Sequence, residues 1–183
     1  MNKEGGFTLI ELLVGIAIAA ILAMLAAPSF NSVFAKKRVE GLVSELISDL
    51  QYARSESVQR NTLVQVTFGS NCYVVHALPR TATGASAATS CTQSGTSTIG
   101  TDEIELKTAK ISPGSAESFS PSTGSILFDP VRGMATIGGA AGTITATSSI
   151  GSWDLRAKIT AIGQVKTCSP SGTGFVAGYG VCS

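Results

Sequence analysis

From Phe7 to Ala27 the chain is polar only at Thr8 and Glu11, and the apolar run then breaks at Pro28 and Ser29. As a helix rising ~1.5 Å per residue it covers about 31 Å, enough to cross a bilayer. Beyond Pro28 the apolar positions Val39, Leu42, Val43, Leu46, Ile47, Leu50 and Ala53 recur at steps of three and four, the pattern of one buried helical stripe. Lys36, Lys37, Glu40, Glu45, Asp49, Arg54 and Glu56 take the other faces, and the helix is predicted to end near Arg60 and Asn61. Pro28 lacks an amide hydrogen, so a kink or a locally unwound turn is expected where it interrupts the ladder.

After residue 61 the period changes to two. TLVQVTF (62–68) and CYVVHAL (72–78) flank Gly69-Ser70-Asn71 and read as a hairpin with a three-residue turn. Further strands are predicted at 104–111, 125–128, 134–137, 142–150 and 153–162, with Asp129-Pro130-Val131-Arg132-Gly133 as a turn. Residues 80–101 are small, polar and low in complexity, which predicts a surface loop; its Ser and Thr content also makes it a possible glycosylation substrate, with plain solvated loop the simpler reading. The fold class is α+β: a long N-terminal α-helix, with a membrane half and an amphipathic half, packed on antiparallel β-sheet. The corresponding segments are 7–30, a transmembrane helix; 31–61, its amphipathic continuation; and 62–183, a β-rich globular domain. Outside the apolar segment ~150 residues remain, a size for one core but not two.

Glu11 is the anomaly of the apolar run. A carboxylate inside a membrane helix costs about 3 kcal/mol on insertion scales, which makes such a residue functional by default. No Lys or Arg lies between it and Lys36. A cleaved secretory signal is the ordinary alternative, and Ala17-Ile18-Ala19 offers a cleavage site for it. Against it, Lys3 is offset by Glu4, and Glu11 interrupts the part of the run that should be most apolar. A cut between Gly6 and Phe7 would instead create an α-amino group one helical turn before Glu11. That cation could meet the Glu11 carboxylate of its own chain or of a neighbour, fixing the stagger of packed helices where charge is weakly screened.

The leader MNKEGG followed by FTLIELL resembles the class III signal of type IV pilins and type II secretion pseudopilins. The resemblance implies that residues 1–6 are a cleaved prepilin leader, that prepilin peptidase cuts after Gly6 and methylates Phe7, and that Glu11 serves filament assembly. It also implies that the helix loosens near Pro28 in a filament. The order of elements, the Phe128-Asp129-Pro130 turn and a cysteine soon after a Gly-x-Val-Lys segment resemble the GspH/FimT branch of minor pilins and pseudopilins. The partners implied are other major or minor pilins or pseudopilins, prepilin peptidase and the bacterial inner membrane before assembly. The location implied is a single-pass inner-membrane protein with a periplasmic C-terminal domain, later part of a filament at the cell surface.

Composition sharpens this in three ways. Thirteen Lys and Arg against twelve Asp and Glu, with 14% charged residues, give no domain-wide footprint for nucleic acid. Cys72, Cys91, Cys168 and Cys182 match no C-x-x-C pattern, so disulfides and an oxidising compartment are expected. Of three connectivities the sequence-local one, Cys72 with Cys91 and Cys168 with Cys182, is the expectation; four free thiols are the alternative. Chemistry is sparse. His76, the single histidine, is expected to face solvent from a strand. Asp102, Glu103 and Glu105 read as a solvated edge rather than a weak Ca²⁺ site, and neither metal nor cofactor is expected. The letters G-x-G-x-x-A at 172–177 have no βαβ unit after them and read as turns. Lys36, Lys37 and Arg38 serve lipid headgroups or simple solvation of the helix.

DNA is the remaining partner to weigh. Some members of the FimT branch bind DNA through a Gly-Arg-x-Arg segment, and the matching residues here are Gly163, Gln164, Val165 and Lys166. One arginine is replaced by a neutral side chain and the other by lysine, which removes bidentate phosphate recognition. Lys166, with Lys158 and Arg156, makes the candidate DNA-binding set. No enzymatic activity is expected. The sequence thus points to a minor pilin that joins or primes a type IV pilus, with a DNA receptor for transformation or a type II secretion pseudopilin as alternatives.

Overall fold

The computed structural model describes residues 7–93, 97–137 and 142–182, with backbone only at 25–29. The chain forms two compact units, one up to Phe34 and one from Ala35 onward. One helix, α1 (Leu9–Arg60), supplies residues to both. It passes Pro28 as unbroken helix, without the expected unwound turn. At its end Asn61 adopts the left-handed conformation (φ 50°), which an Asn tolerates and which stops a helix.

Among the described residues nine strands follow, in two antiparallel sheets. The first runs β3-β2-β1-β5-β6, from β1 (Val64–Gly69), β2 (Cys72–Ala77), β3 (Ile104–Lys110), β5 (Ser125–Phe128) and β6 (Ala135–Ile137). The second runs β4-β7-β8-β9, from β4 (Glu117–Pro121), β7 (Gly142–Ser148), β8 (Asp154–Ile159) and β9 (Val165–Cys168). β4 and β9 were not expected from the hydropathy pattern. The expected hairpin is β1–β2, with Val66 opposite Val75; Gly69 is itself paired with Cys72, so Ser70 and Asn71 alone make the turn in place of the expected three residues, Asn71 being left-handed (φ 55°). Asp129 shapes the β5–β6 turn by accepting the amides of Val131 (2.7 Å) and Arg132 (3.0 Å). Those two hydrogen bonds hold its carboxyl below the usual carboxylate range.

The helical stripe meets both sheets in one buried cluster. Val39, Val43, Leu46, Leu50 and Ala53 pack with Val64, Val66, Tyr73, Val75, Ile126 and Phe128 of the first sheet, and with Ile144, Ala146, Leu155, Ala157 and Ile159 of the second. Full burial of a Leu or Val side chain is worth about 1.5–3 kcal/mol, so this seam dominates stability. Polar contacts fix the helix along it: the Tyr73 hydroxyl donates to Asp49 Oδ2 (2.7 Å), and Lys107 Nζ donates to Asp49 Oδ1 (2.8 Å). Burial, and then the bond to Asp49, push the Tyr73 phenol far above its ordinary range.

Both disulfides lie at sheet margins, Cys72–Cys91 closing a span of 19 residues and Cys168–Cys182 one of 14. The tail beyond β9 is pinned by Ser169, whose buried hydroxyl donates to the Asp154 carbonyl (2.8 Å) and accepts the Val176 amide (2.9 Å). Val176 is thereby placed in the core. Gly172 and Gly174 have positive φ in turns of this tail, and a Cβ on Gly174 would overlap the Ser152 carbonyl. The G-x-G-x-x-A letters are loop geometry.

Candidate functional site

The first turn of α1 is built by Thr8. Its hydroxyl accepts the Glu11 amide (3.3 Å), and its carbonyl accepts the Leu12 amide (3.2 Å). Thr8 is therefore the N-cap and Glu11 stands at the third helical position, the Thr-x-x-Glu spacing of a capping box. That spacing was readable in the sequence. A carboxylate here also faces the positive end of the helix macrodipole. Among the described residues no cation is paired with Glu11. Phe7 precedes the cap and is 84% exposed; Leu9, Ile10, Leu12, Leu13, Val14, Ile16, Ile18, Ile21, Leu22 and Met24 are exposed as well. Gly6 and the rest of the leader lie outside the described residues, as does the Pro28 side chain. Among the described residues no helix is long and apolar enough to cross a membrane, so the transmembrane expectation over 7–30 is not confirmed there.

Lys36, Lys37 and Arg38 are engaged within the domain. Lys36 reaches the Ala177 carbonyl (3.4 Å) and lies 5.8 Å from the centre of the Trp153 ring. Lys37 pairs with Glu40 (2.7 Å), and Arg38 with the buried Glu117 (3.7 Å). Lys36 and Arg38 thus dock the helix against the tail and β4, while the Lys37 pair lies within the helix.

The DNA-binding candidates come together on one sheet face. Lys158 of β8 lies directly opposite Lys166 of β9, and Arg156 is two residues along β8, so all three project to the same side. Like charges directly opposite each other are mildly destabilising, a cost the sheet carries at this edge. Asp154 dilutes the cluster, its Oδ2 lying 3.8 Å from Arg156. Burial raises the Asp154 carboxyl above its ordinary value, against the pull of Arg156. Gly163 (φ 76°) turns the chain between the two strands, where Thr160 binds both the carbonyl and the amide of Gln164.

His76 corrects the sequence reading. It is fully buried, because one face of β2 meets α1 and the other is covered around Ser86, Thr89 and Glu103. Its Nε2 lies 2.9 Å from the Thr67 hydroxyl; its Nδ1 lies 2.9 Å from Glu103 Oε2, out of line for a hydrogen bond. Gln65 extends the network, exchanging two 2.7 Å bonds with the Ser86 backbone. Glu103 is likewise not a solvated edge: its side chain is 4% exposed and accepts the Thr89 hydroxyl. Glu105 turns instead to Thr108 (2.6 Å). The three acidic residues do not converge, and among the described residues no cluster of His, Cys, Asp and Glu is placed to hold a metal ion.

This buried pair sets a pH dependence. Burial lowers the His76 pKa below 6.5, outweighing the opposite pull of Glu103. The unfolded chain therefore takes up the proton first, so the stabilisation is complete above about pH 6.5 and is lost as pH falls from there through the lower folded value. For Glu103, burial acts upward, but hydrogen bonds from Ser86 and Thr89, the His76 charge and the Gly100 amide together lower its pKa. Its contribution is lost only at more acid pH, below about 4.5. Urea midpoints should fall between pH 7.5 and 5.5 in the natural chain and fall less in His76→Gln. Equal slopes in the two proteins would refute this assignment.

A long N-terminal helix with a capped, carboxylate-bearing first turn, running into an α+β domain of antiparallel sheets, is the layout of a pilin-like protein. Residues 42–163 match the family described as Type II transport protein GspH, and the chain belongs to that family. Residues 1–27 match the prokaryotic N-terminal methylation motif, which implies processing by a prepilin peptidase and a membrane anchor. Over 46 residues the chain is 46% identical to fimbrial protein Q of Moraxella bovis, covering 25% of this chain and 29% of that protein. The chain thus spans under a third of that relative. Among solved structures it is similar to the type IV minor pilin FimU of Pseudomonas aeruginosa, with a TM-score of 0.48 and 13% identity over 75% of this chain and 96% of that one.

Proposed function

We propose that this protein is a minor pilin, cut between Gly6 and Phe7, N-methylated at Phe7 and incorporated through its N-terminal helix into a type IV pilus or its priming complex. The observation that carries this reading is the stretch of α1 from Leu9 to Met24, where large apolar side chains stand exposed around Glu11, a carboxylate with no cation paired to it among the described residues. Such a surface is stable only in lipid or among like helices. A new amine at Phe7 would sit at the positive end of the helix macrodipole, and Glu11 of the same or a neighbouring chain is the group that offsets it. Before assembly the helix holds the domain at the periplasmic face of the inner membrane, where both disulfides can form. The cysteine-closed tail favours the pilus over the secretion pseudopilus. Mass spectrometry of the native product tests the reading: the mature chain should begin at N-methyl-Phe7 and fractionate with sheared filaments. A chain beginning at Ala20, or one retaining its leader, would refute it.

A second reading, capture of DNA, has one observation in its favour, the shared face of Arg156, Lys158 and Lys166. Three cations beside Asp154 make a small footprint, and the expected result in a gel shift with the full chain in non-ionic detergent is no retardation at micromolar protein. Retardation that weakens steeply as salt rises would establish the second reading.

A further inference from the structure

Among the described residues β9 ends its sheet, with β8 on one side and no strand on the other. The tail returns to it only beyond the strand, at the Ser169–Val181 bridge. The outer edge of Val165–Cys168 therefore offers backbone N–H and C=O groups over four residues, about 13 Å at ~3.3 Å per residue. Beside this edge lies a groove of about 850 Å³, lined from α1 by Gln51, Arg54, Ser55 and Val58 and from the strand by Val165 and Lys166. The helix positions recur at three and four residues, so a second stripe of α1, distinct from the one in the core, faces the groove. Val58 is 56% exposed there, and with Val165 it gives an apolar floor.

The charge of the groove is one-sided. No carboxylate lines it, and neither Arg54 nor Lys166 makes an ion pair among the described residues. Arg54 is also held in place. A Cβ on Gly133 would lie 2.9 Å from its Nε, and one on Gly163 would lie 3.6 Å from it, so two positive-φ glycine turns close around the guanidinium. An unpaired sheet edge, a short apolar floor and a positioned cation define the chemistry of the occupant.

We infer that this groove takes an extended polypeptide segment of another pilus subunit. The segment adds to β9 as a further strand, with an apolar side chain against Val58 and Val165 and a carboxylate against Arg54. The inference rests on the minor-pilin reading above. A nucleic-acid backbone would use the cations but leave the strand edge and the valine floor unmatched, and an extended chain satisfies all three. Subunits joined this way are held by main-chain hydrogen bonds, while the acidic residue sets the partner's register.

The test uses the full chain with a photoreactive benzoylphenylalanine in place of Val58, irradiated in cells that assemble filaments, with adducts mapped by mass spectrometry. The expected adduct lies in an Asp- or Glu-bearing extended segment of a second chain that also carries an N-terminal methylation segment. Arg54→Gln should cut its yield at least about tenfold, a change of ~1.4 kcal/mol, while Arg54→Lys, which keeps the charge, should retain most of it. Arg132→Glu, on the neighbouring turn but outside the groove, should leave the yield as it is. An adduct to nucleic acid or lipid, a yield indifferent to Arg54→Gln, or no adduct from chains that purify with filaments would overturn the inference and leave the pilin reading intact. A chain absent from filaments altogether would overturn both.

Discussion

Glu11→Ala should reduce the amount of this chain in sheared filaments by about tenfold or more, the equivalent of at least ~1.4 kcal/mol per subunit, while cleavage after Gly6 proceeds. Two roles are superimposed on this carboxylate. It stands at the third helical position, where its amide is capped by the Thr8 hydroxyl, and it is the charge proposed to compensate an amine at Phe7. Glu11→Gln separates them, because glutamine keeps the capping geometry and its worth of roughly 1 kcal/mol but loses the charge. If charge compensation governs assembly, glutamine should fail about as badly as alanine in an immunoblot of the filament fraction. Normal incorporation of Glu11→Gln would mean that the residue serves the helix terminus alone.

The second large effect falls on stability. Gly69 ends β1 opposite Cys72, and a Cβ there would lie 2.9 Å from the sulfurs of both Cys72 and Cys91 and overlap the Cys91 carbonyl. Its φ is not positive, so the demand for glycine is purely one of close approach. Gly69→Ala should cost about 3 kcal/mol, similar to removing the disulfide itself. The two losses should not add. In a Cys72→Ser/Cys91→Ser background the covering segment is free to move off, and the alanine should then cost less than about 1.5 kcal/mol in urea denaturation. Strict additivity would show that the stapled segment is not what the new methyl group meets.

Much of this architecture was legible before any coordinates. The three-and-four spacing of Val39, Val43, Leu46 and Leu50 gave α1 its buried face, and β7 shows the clean in-out alternation expected of a strand with one covered side. β4 and β9 escaped because edge strands need little hydrophobicity. ESFSP holds one large apolar residue and VKTC a single valine, and their registers are set by pairing with β7 and β8. His76 was misplaced for a related reason. The segment covering it is attached by Gln65, Ser86, Thr89 and Glu103 through polar contacts that no hydropathy pattern registers. The grouping of Arg156, Lys158 and Lys166 followed from strand periodicity once a second strand was granted at 165–168. The groove beside it did not, since that depends on β9 being the last strand of its sheet.

Each covalent link in the domain ties a sheet margin to its own adjoining segment, Cys72 on β2 to the segment covering it and Cys168 on β9 to the tail. Neither joins one sheet to the other. Oxidative maturation can thus proceed as two independent local closures, each completed without waiting for α1 to unite the sheets. A thiol oxidase acting on the newly exported chain would meet nearby partners first, and a long-range isomer such as Cys72 with Cys168 would require the sheets to trade margins. Biogenesis of this protein should accordingly depend on an oxidant far more than on a disulfide isomerase.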